Sequence, residues 1–423
     1  MRYKDALYVC GIGCITFLLA LQASFIRGDR EAIIFGDAEG YYLYLPSMVI
    51  YGNFKDYPIK TYDASLIPNH EIKNKYTCGV AMLQAPFFLM ADTFVRLTKT
   101  AERNGISWPY IVSVLMSGAF YLALGCYFLL RLLSTRFSFL VSLLAVLALW
   151  LGTNLYYYTA LRPGMSHVYS FFLFSAFIYT THLFWKKPLL KRALCLGILL
   201  GLITLVRPTN VMVVLVFLMY NASGWPDIKD RILLLFKKPQ LLLILFVAAF
   251  CVFIPQAWYW KETWGSWIYY SYGNESFIYW DKPKILKVLF GVMNGWLLYS
   301  PMAIIALLGL PKFIKKEKLL GWSVVVVLIL ATYSFASWWA WWFGGAFGHR
   351  CYVEFYALFA IPMAFSLNEI SKKQQMVKVV FAIACALLVY YNLGLSYLYD
   401  KTLPWDGPDW GWPSYWDRVS AIF

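Results

Sequence analysis

Apolar runs of about 20 residues, separated by short polar or basic stretches, recur along almost the whole chain. A run of that length, wound as a helix, matches a hydrocarbon core of roughly 30 Å. On this pattern we expect spans at Ala6–Ile26, Pro109–Leu130, Phe137–Tyr158, Met165–Phe184, Ala193–Val206, Thr209–Tyr220, Leu241–Trp260, Val292–Leu310, Leu319–Ser337, Tyr352–Leu367 and Val377–Tyr397. The expected fold is an all-α polytopic membrane protein of about eleven transmembrane helices, forming one domain over 1–423 without a separate soluble domain. The runs on either side of Arg207-Pro208 are shorter than a normal span. The first run is long for a signal-peptide core, and no small-x-small cleavage site follows it, so we expect a retained helix. The stretch 27–108 is too long for a plain connector. Within it, Tyr41–Tyr51 is amphipathic and Gly79–Leu97 is largely apolar. Both are expected to be helices lying along the interface. If Gly79–Leu97 crossed instead, every later segment would change side.

Composition supports this class. Only 14% of residues are charged and 61% are hydrophobic, where a soluble domain carries about 25% charged residues. The net charge of +15 does not point to nucleic acid. The basic residues fall between spans, as in Lys186-Lys187, Lys191-Arg192, Lys237-Lys238, Lys315-Lys316 and Lys372-Lys373, where the positive-inside bias places them. With Arg2 and Lys4 inside, the loops 131–136, 185–192, 227–238, 312–318 and 368–378 fall inside as well. The segments 27–108, 261–291, 338–351 and 398–423 are then outside. Six of the eight cysteines lie in apolar runs. Cys78 and Cys351 approach the outer face, where pairing between them stays open, and no metal-type spacing is present.

The outer segments hold the candidate chemistry. Gly36-Asp37-Ala38-Glu39-Gly40 has two carboxylates a residue apart, flanked by glycines and followed by the aromatic run Tyr41-Tyr42-Leu43-Tyr44. Most such acid pairs are hydrated loop. Here the pair sits beside the first span, where a low dielectric can raise a carboxylate pKa and suit it to general-base work. Lys75, Arg162, Arg207 and Arg350 all fall near expected outer helix ends. Arginine forks fit phosphate oxygens, so together they suggest a site for an anionic lipid head group. Arg207, between two half-spans, would line a cavity. Snorkelling to the head groups would account for it equally well. His167 lies about one turn into a span and is expected to be a hydrogen-bonded structural residue. Ser337–Arg350 packs four tryptophans, including Trp341 and Trp342, ahead of three glycines, His349 and Arg350, as in a shaped loop. A divalent metal on Asp37 and Glu39, or on His70, His349 and the acids, stays open without a supporting spacing. No nucleotide-binding glycine fingerprint and no nucleophile elbow occur.

Three patches carry a family resemblance. Gly36-Asp37-Ala38-Glu39-Gly40-Tyr41-Tyr42, Lys75-Tyr76-Thr77-Cys78-Gly79 with Leu83-Gln84-Ala85-Pro86-Phe87-Phe88, and Trp341-Trp342 with Gly345-Ala346-Phe347-Gly348-His349-Arg350 resemble motifs of the GT-C superfamily. These are integral-membrane glycosyltransferases, and the chain is similar to their protein O-mannosyltransferase and lipid A aminoarabinose transferase branch. Thr77-Cys78 stands where bacterial members have prolines. The resemblance implies an inverting transfer from a polyprenyl-phosphate sugar to a glycan, lipid or protein hydroxyl, at the periplasmic face of a bacterial inner membrane. It implies Asp37 as base, Glu39 to orient the acceptor or hold a cation, and Lys75, Arg162, Arg207 and Arg350 around the donor phosphate. Tyr41, Tyr42, Tyr76, His167, Trp341, Trp342 and His349 would line the substrate. The alternatives are a transporter or flippase of a lipid-linked sugar and a glycan polymerase or ligase.

Overall fold

The computed structural model of the chain describes residues 3–26, 28, 31–57, 73–407 and 409–423. His70, a candidate metal ligand, lies outside them. The described residues form helices without strands. Seven helices are long and apolar enough to cross a membrane: Ala6–Phe25, Gly79–Thr98, Trp108–Leu133, His167–Lys186, Pro239–Trp264, Lys318–Ser337 and Gln375–Thr402.

Four of the expected eleven runs are broken. The run after Pro208 forms a 3-10 helix, Pro208–Val214, and then a short α-helix, Leu215–Met219. A 3-10 helix rises about 2.0 Å per residue rather than 1.5 Å, so this short stretch covers more depth than its length suggests. The run from Phe137 is helical only over Phe139–Leu151, then turns and resumes as a π-helix, Tyr157–Leu161. Val292–Leu310 divides into Trp296–Tyr299 and Met302–Lys316. The break falls at Pro301, which lacks the N–H that a continuous helix needs. The run from Tyr352 begins as a 3-10 turn, Arg350–Tyr352, and becomes α-helical only at Tyr356–Ser371.

The first loop also departs from expectation. After a 3-10 turn at Glu31–Ile34, helical structure runs through Asp37–Tyr42, Tyr44–Pro46 and Ser47–Tyr51. Its aromatic residues turn into the protein instead of lying along an interface. Tyr42 Oη donates to Gly105 O at 2.7 Å and Tyr44 Oη to Tyr76 O at 2.6 Å. Gly79–Thr98 is a single helix of membrane length. It runs antiparallel to Trp108–Leu133, because Tyr121 Oη donates to Leu83 O at 2.8 Å and Tyr110 Oη donates to Asp92 at 2.8 Å. The first helix is also antiparallel to Trp108–Leu133: Gly13 meets Ala123 and Tyr8 meets Phe139. The first helix and Gly79–Thr98 therefore point the same way, and the chain enters Trp108–Leu133 from the end where the first helix left it.

The basic loops gather at the opposite end. Arg136 pairs with Glu317 at 2.7 Å and donates to Tyr220 Oη at 2.9 Å. Arg231 donates to Tyr220 O at 2.8 Å and covers the Trp185 ring at 4.5 Å. Lys312 pairs with Glu369 at 3.4 Å. Helix His167–Lys186, at 1.5 Å per residue, carries the chain about 30 Å between this end and the one that holds the candidate site.

Candidate functional site

Asp37 is the first helical residue after Gly36. Its carboxylate has two direct partners. Tyr76 Oη donates to Oδ1 at 2.5 Å, and Arg350 Nη2 meets Oδ2 at 2.8 Å. The Asp37 side chain is 28% exposed and that of Arg350 14%, so the pair opens to the surface on one side only.

The sequence places Tyr76 there by close approach. A Cβ on Gly40 would lie 2.1 Å from the Tyr76 ring, so only glycine lets the ring rest on this helix. Buried Asn74 ties the two segments together: Nδ2 donates to Gly40 O at 2.6 Å, and Oδ1 accepts from Tyr76 N at 3.0 Å. Ser271 Oγ donates to Lys75 O at 2.7 Å, and Cys78 N to Gln256 Oε1 at 2.7 Å. Thr77 Oγ1 donates to Leu205 O. The Lys75-Tyr76-Thr77-Cys78 stretch is thus pinned at every residue.

Electrostatics set the protonation of this pair. Burial alone would raise the Asp37 pKa. Arg350, the Tyr76 hydrogen bond, Lys75 and Arg207 together outweigh burial and hold it below the ordinary carboxylate value. The sequence-based expectation of a raised pKa is corrected here, because the cations were not yet placed around the acid. Burial and the Asp37 charge push the Tyr76 phenol well above its usual range, so it stays protonated and donates.

Arg207 leads to a second carboxylate that the sequence reading missed. Its Nη1 donates to Glu354 Oε1 at 3.2 Å, and His167 Nδ1 lies 3.3 Å from the same oxygen. Glu354 is fully buried and His167 is 1% exposed. Glu354 stands in the run expected to begin a span at Tyr352, and a lone acid in such a run is itself a signal of function. His167 is hydrogen-bonded as expected, and its partners belong to the site.

Other candidates fall away from the acid. Arg162 pairs with Asp400 at 2.9 Å, so it is committed to a partner from the helix Gln375–Thr402. Tyr42 is 1% exposed, with its ring against Phe88, and is core rather than lining. Tyr41 packs on Tyr76 with ring centroids 4.7 Å apart, beside the acid. Glu39 is buried on another face of the helix, where its charge acts on Tyr57. The two acids therefore do not converge, and among the described residues no group of three His, Cys, Asp or Glu gathers as a metal site. All eight cysteines are free thiols, Cys78 and Cys351 included.

The 338–350 loop is shaped by its backbone. Phe343, Gly345 and Gly348 have φ of 53°, 37° and 60°, the left-handed region that favours glycine. Phe347 N donates to Tyr158 Oη at 3.0 Å, and Gly345 N donates to Asp406 Oδ2 at 3.1 Å. His349 is fully buried among Phe335, Phe343 and Tyr352. Its Nε2–H donates to Trp341 O at 3.1 Å. It therefore closes the loop from within and does not line a substrate. Trp341 lies under Lys287 at 5.4 Å, and the Trp342 carbonyl accepts from Asn294 at 2.8 Å. The ring from this loop that meets Arg207 is Phe343, at 5.9 Å.

Lys75 pairs with Glu275 at 2.7 Å. Both line an open cleft of about 530 Å³ with Tyr272, Trp264 and Trp339. Tyr272 packs on Tyr76 at 6.3 Å, so the cleft adjoins Asp37. No family model matches the chain, and no curated protein matches it.

Proposed function

We propose that the protein is an inverting glycosyltransferase of the membrane, moving a sugar from a polyprenyl-phosphate donor to an acceptor hydroxyl at the end of the bundle away from the basic loops. One observation carries this reading. A single ionised carboxylate, Asp37, opens to the surface between a phenol donor and Arg350, with Lys75 and Arg207 acting on the same point. That arrangement suits a base beside an anion. The positive-inside bias places the basic end in the cytoplasm, so the site faces away from nucleotide sugars. A lipid-linked donor meets that need: its chain stays in the bilayer and its phosphate meets the arginines.

In the reaction, the acceptor oxygen attacks the anomeric carbon as its proton passes to Asp37. The bond from that carbon to the phosphate oxygen breaks on the opposite face, and the polyprenyl phosphate leaves with the electron pair. Arg350, Arg207 and Lys75 stabilise the charge that develops there, and such preorganised donors supply several kcal/mol of transition-state stabilisation (about 3–4 for one donor). The cleft beside Tyr272 offers the acceptor a path to Asp37. The site is proposed to lie at the outer face of a cell membrane.

The test is transfer from a radiolabelled polyprenyl-phosphate sugar by purified protein. Asp37→Asn keeps the shape of the side chain and its contact with Tyr76. It is expected to abolish transfer while leaving the fold and donor binding in place. Normal turnover by this variant would overturn the assignment of the base.

A further inference from the structure

Arg350 and Arg207 both act on Asp37, but they are held differently. Arg350 rests on Asp37 itself, a carboxylate 28% exposed and open to exchange. Arg207 rests on Glu354, whose side chain is fully buried. Glu354 Oε1 accepts from Arg207 Nη1 at 3.2 Å and lies 3.3 Å from His167 Nδ1, while Arg207 Nη1 is 3.4 Å from that same nitrogen. Glu354 Oε2 is buried with no hydrogen-bond partner among the described residues. The three groups meet at Arg207 Nη1, and the Cys351 thiol also lies in hydrogen-bond contact with this guanidinium. Phe343 lies against the guanidinium, 5.9 Å from ring centroid to Cζ, and the Arg207 side chain remains 18% exposed.

We infer that Glu354, braced by His167, is a positioning residue that holds Arg207 as the fixed half of a phosphate clamp, with Arg350 as its movable half. An entering phosphate meets Arg207 in place and draws Arg350 from Asp37, which leaves the carboxylate uncovered as the anion arrives. A buried carboxylate is costly unless its partners compensate it. Within a site for an anion, its charge also opposes the ligand. Its value there lies in geometry: an arginine fork binds phosphate well only when its plane is fixed. The inference rests on the glycosyltransferase reading for the identity of the anion.

The opposing charge makes the test decisive. The probe is farnesyl phosphate, with farnesol as the uncharged control, titrated into the detergent-solubilised full chain. Were Glu354 only a nearby charge, Glu354→Leu and Glu354→Gln would both tighten binding. As a positioning residue, Glu354→Leu weakens binding at least tenfold. Glu354→Gln, whose amide oxygen still accepts from Arg207, recovers most of that loss. In an Arg207→Gln background, Glu354→Leu adds no further loss. Equal or tighter binding by Glu354→Leu overturns the inference, as does a Gln variant as weak as the Leu variant. If Glu354→Leu does not fold, His167→Leu removes the brace without altering charge at Glu354. It is expected to weaken binding severalfold, and unchanged binding overturns the inference. Transfer activity is scored separately. A clamp that behaves as described in a protein without transfer activity would sink the glycosyltransferase reading alone. Intact transfer with binding indifferent to Glu354 would sink the positioning role alone.

Discussion

Tyr76 is the residue on which the acid depends, and its reach is set by a missing methyl group. A Cβ at Gly40 would stand 2.1 Å from its ring. Gly40→Ala is therefore expected to push the phenol off Asp37, lowering transfer at least tenfold and stability by about 1–3 kcal/mol, the usual cost of overpacking. Kinetics and thermal unfolding read the two effects. Tyr76→Phe isolates the hydrogen bond. That bond helps hold the Asp37 pKa below its ordinary value, so wild-type Asp37 stays ionised into acid and its function is lost only as pH falls through that low value. Without the bond the pKa rises, and the acid limb of kcat/KM is expected to move to higher pH. An unmoved limb would show that Asp37 is not the titrating base. His349 tests pH on the stability side. Burial, with Arg207 and Arg350, pushes its pKa down to about 3, whereas an unfolded histidine titrates near 6.5. Its contribution is whole above about pH 6.5 and is lost as pH falls toward the folded value, by about 1.4 kcal/mol per unit. His349→Gln is expected to flatten the fall of the melting temperature between these limits. At this scale Asp37 was legible because glycines and aromatics mark it from both sides. Glu354 was hidden because it sits in an apolar run that looked like a span, and Tyr42 misled because a tyrosine in an outer loop looks the same whether its ring faces substrate or core.

Among the elements, breaks such as those at Pro208 and Pro301 decided where helices end, and run length alone did not reveal them. The helices Trp108–Leu133 and Lys318–Ser337 nearly match their expected spans because nothing interrupts their apolar pattern. Leu190–Val206 stops just before Pro208 and Trp296–Tyr299 just before Pro301, because proline lacks the N–H that a continuing helix needs. The same irregular elements deliver the site. Arg207 lies where Leu190–Val206 ends, and Arg350 opens the 3-10 turn that leads to Glu354. Arg162 follows the π-helix Tyr157–Leu161, and its position at a break made it resemble Arg207. The distinction rests on its partner, which comes from an element more than 200 residues away and has no local sequence signal. Arg162 and Asp400 side chains are 12% and 6% exposed, so removing one takes a close opposite charge from a largely buried one. Arg162→Gln is expected to destabilise the protein by about 3–5 kcal/mol with little change in donor KM. The double variant Arg162→Gln with Asp400→Asn should recover part of the stability. A large rise in KM without loss of stability would return Arg162 to the donor site.

Across the whole molecule, the two ends of the bundle carry different chemistry. One end joins the five basic loops through Arg136–Glu317, Arg231–Tyr220 and Lys312–Glu369. The other holds Asp37, Tyr76, Arg207 and Arg350. This separation was legible in the spacing of basic residues even where individual spans were not, because charge between runs survives errors of several residues at their ends. Gly79–Thr98 fits this separation because it starts beside the site, just after Tyr76, and runs on away from the basic end. In the proposed orientation the basic end faces the cytoplasm, the side that the positive-inside bias favours. Single cysteines test that assignment without relying on activity. Lys373 is exposed beside Glu369 at the basic end, and Trp267 is 59% exposed in the segment that leads to the cleft. In a background where the exposed native cysteines are replaced, Trp267→Cys is expected to react with a membrane-impermeant maleimide on intact cells. Lys373→Cys should react only after permeabilisation. The reverse pattern would turn Asp37 toward the cytoplasm, where nucleotide sugars are available, and would remove the reason for assigning the donor to a lipid. Labelling of both positions from one side would mean that the bundle does not separate two compartments, and the site would then need a different account from the arginines upward.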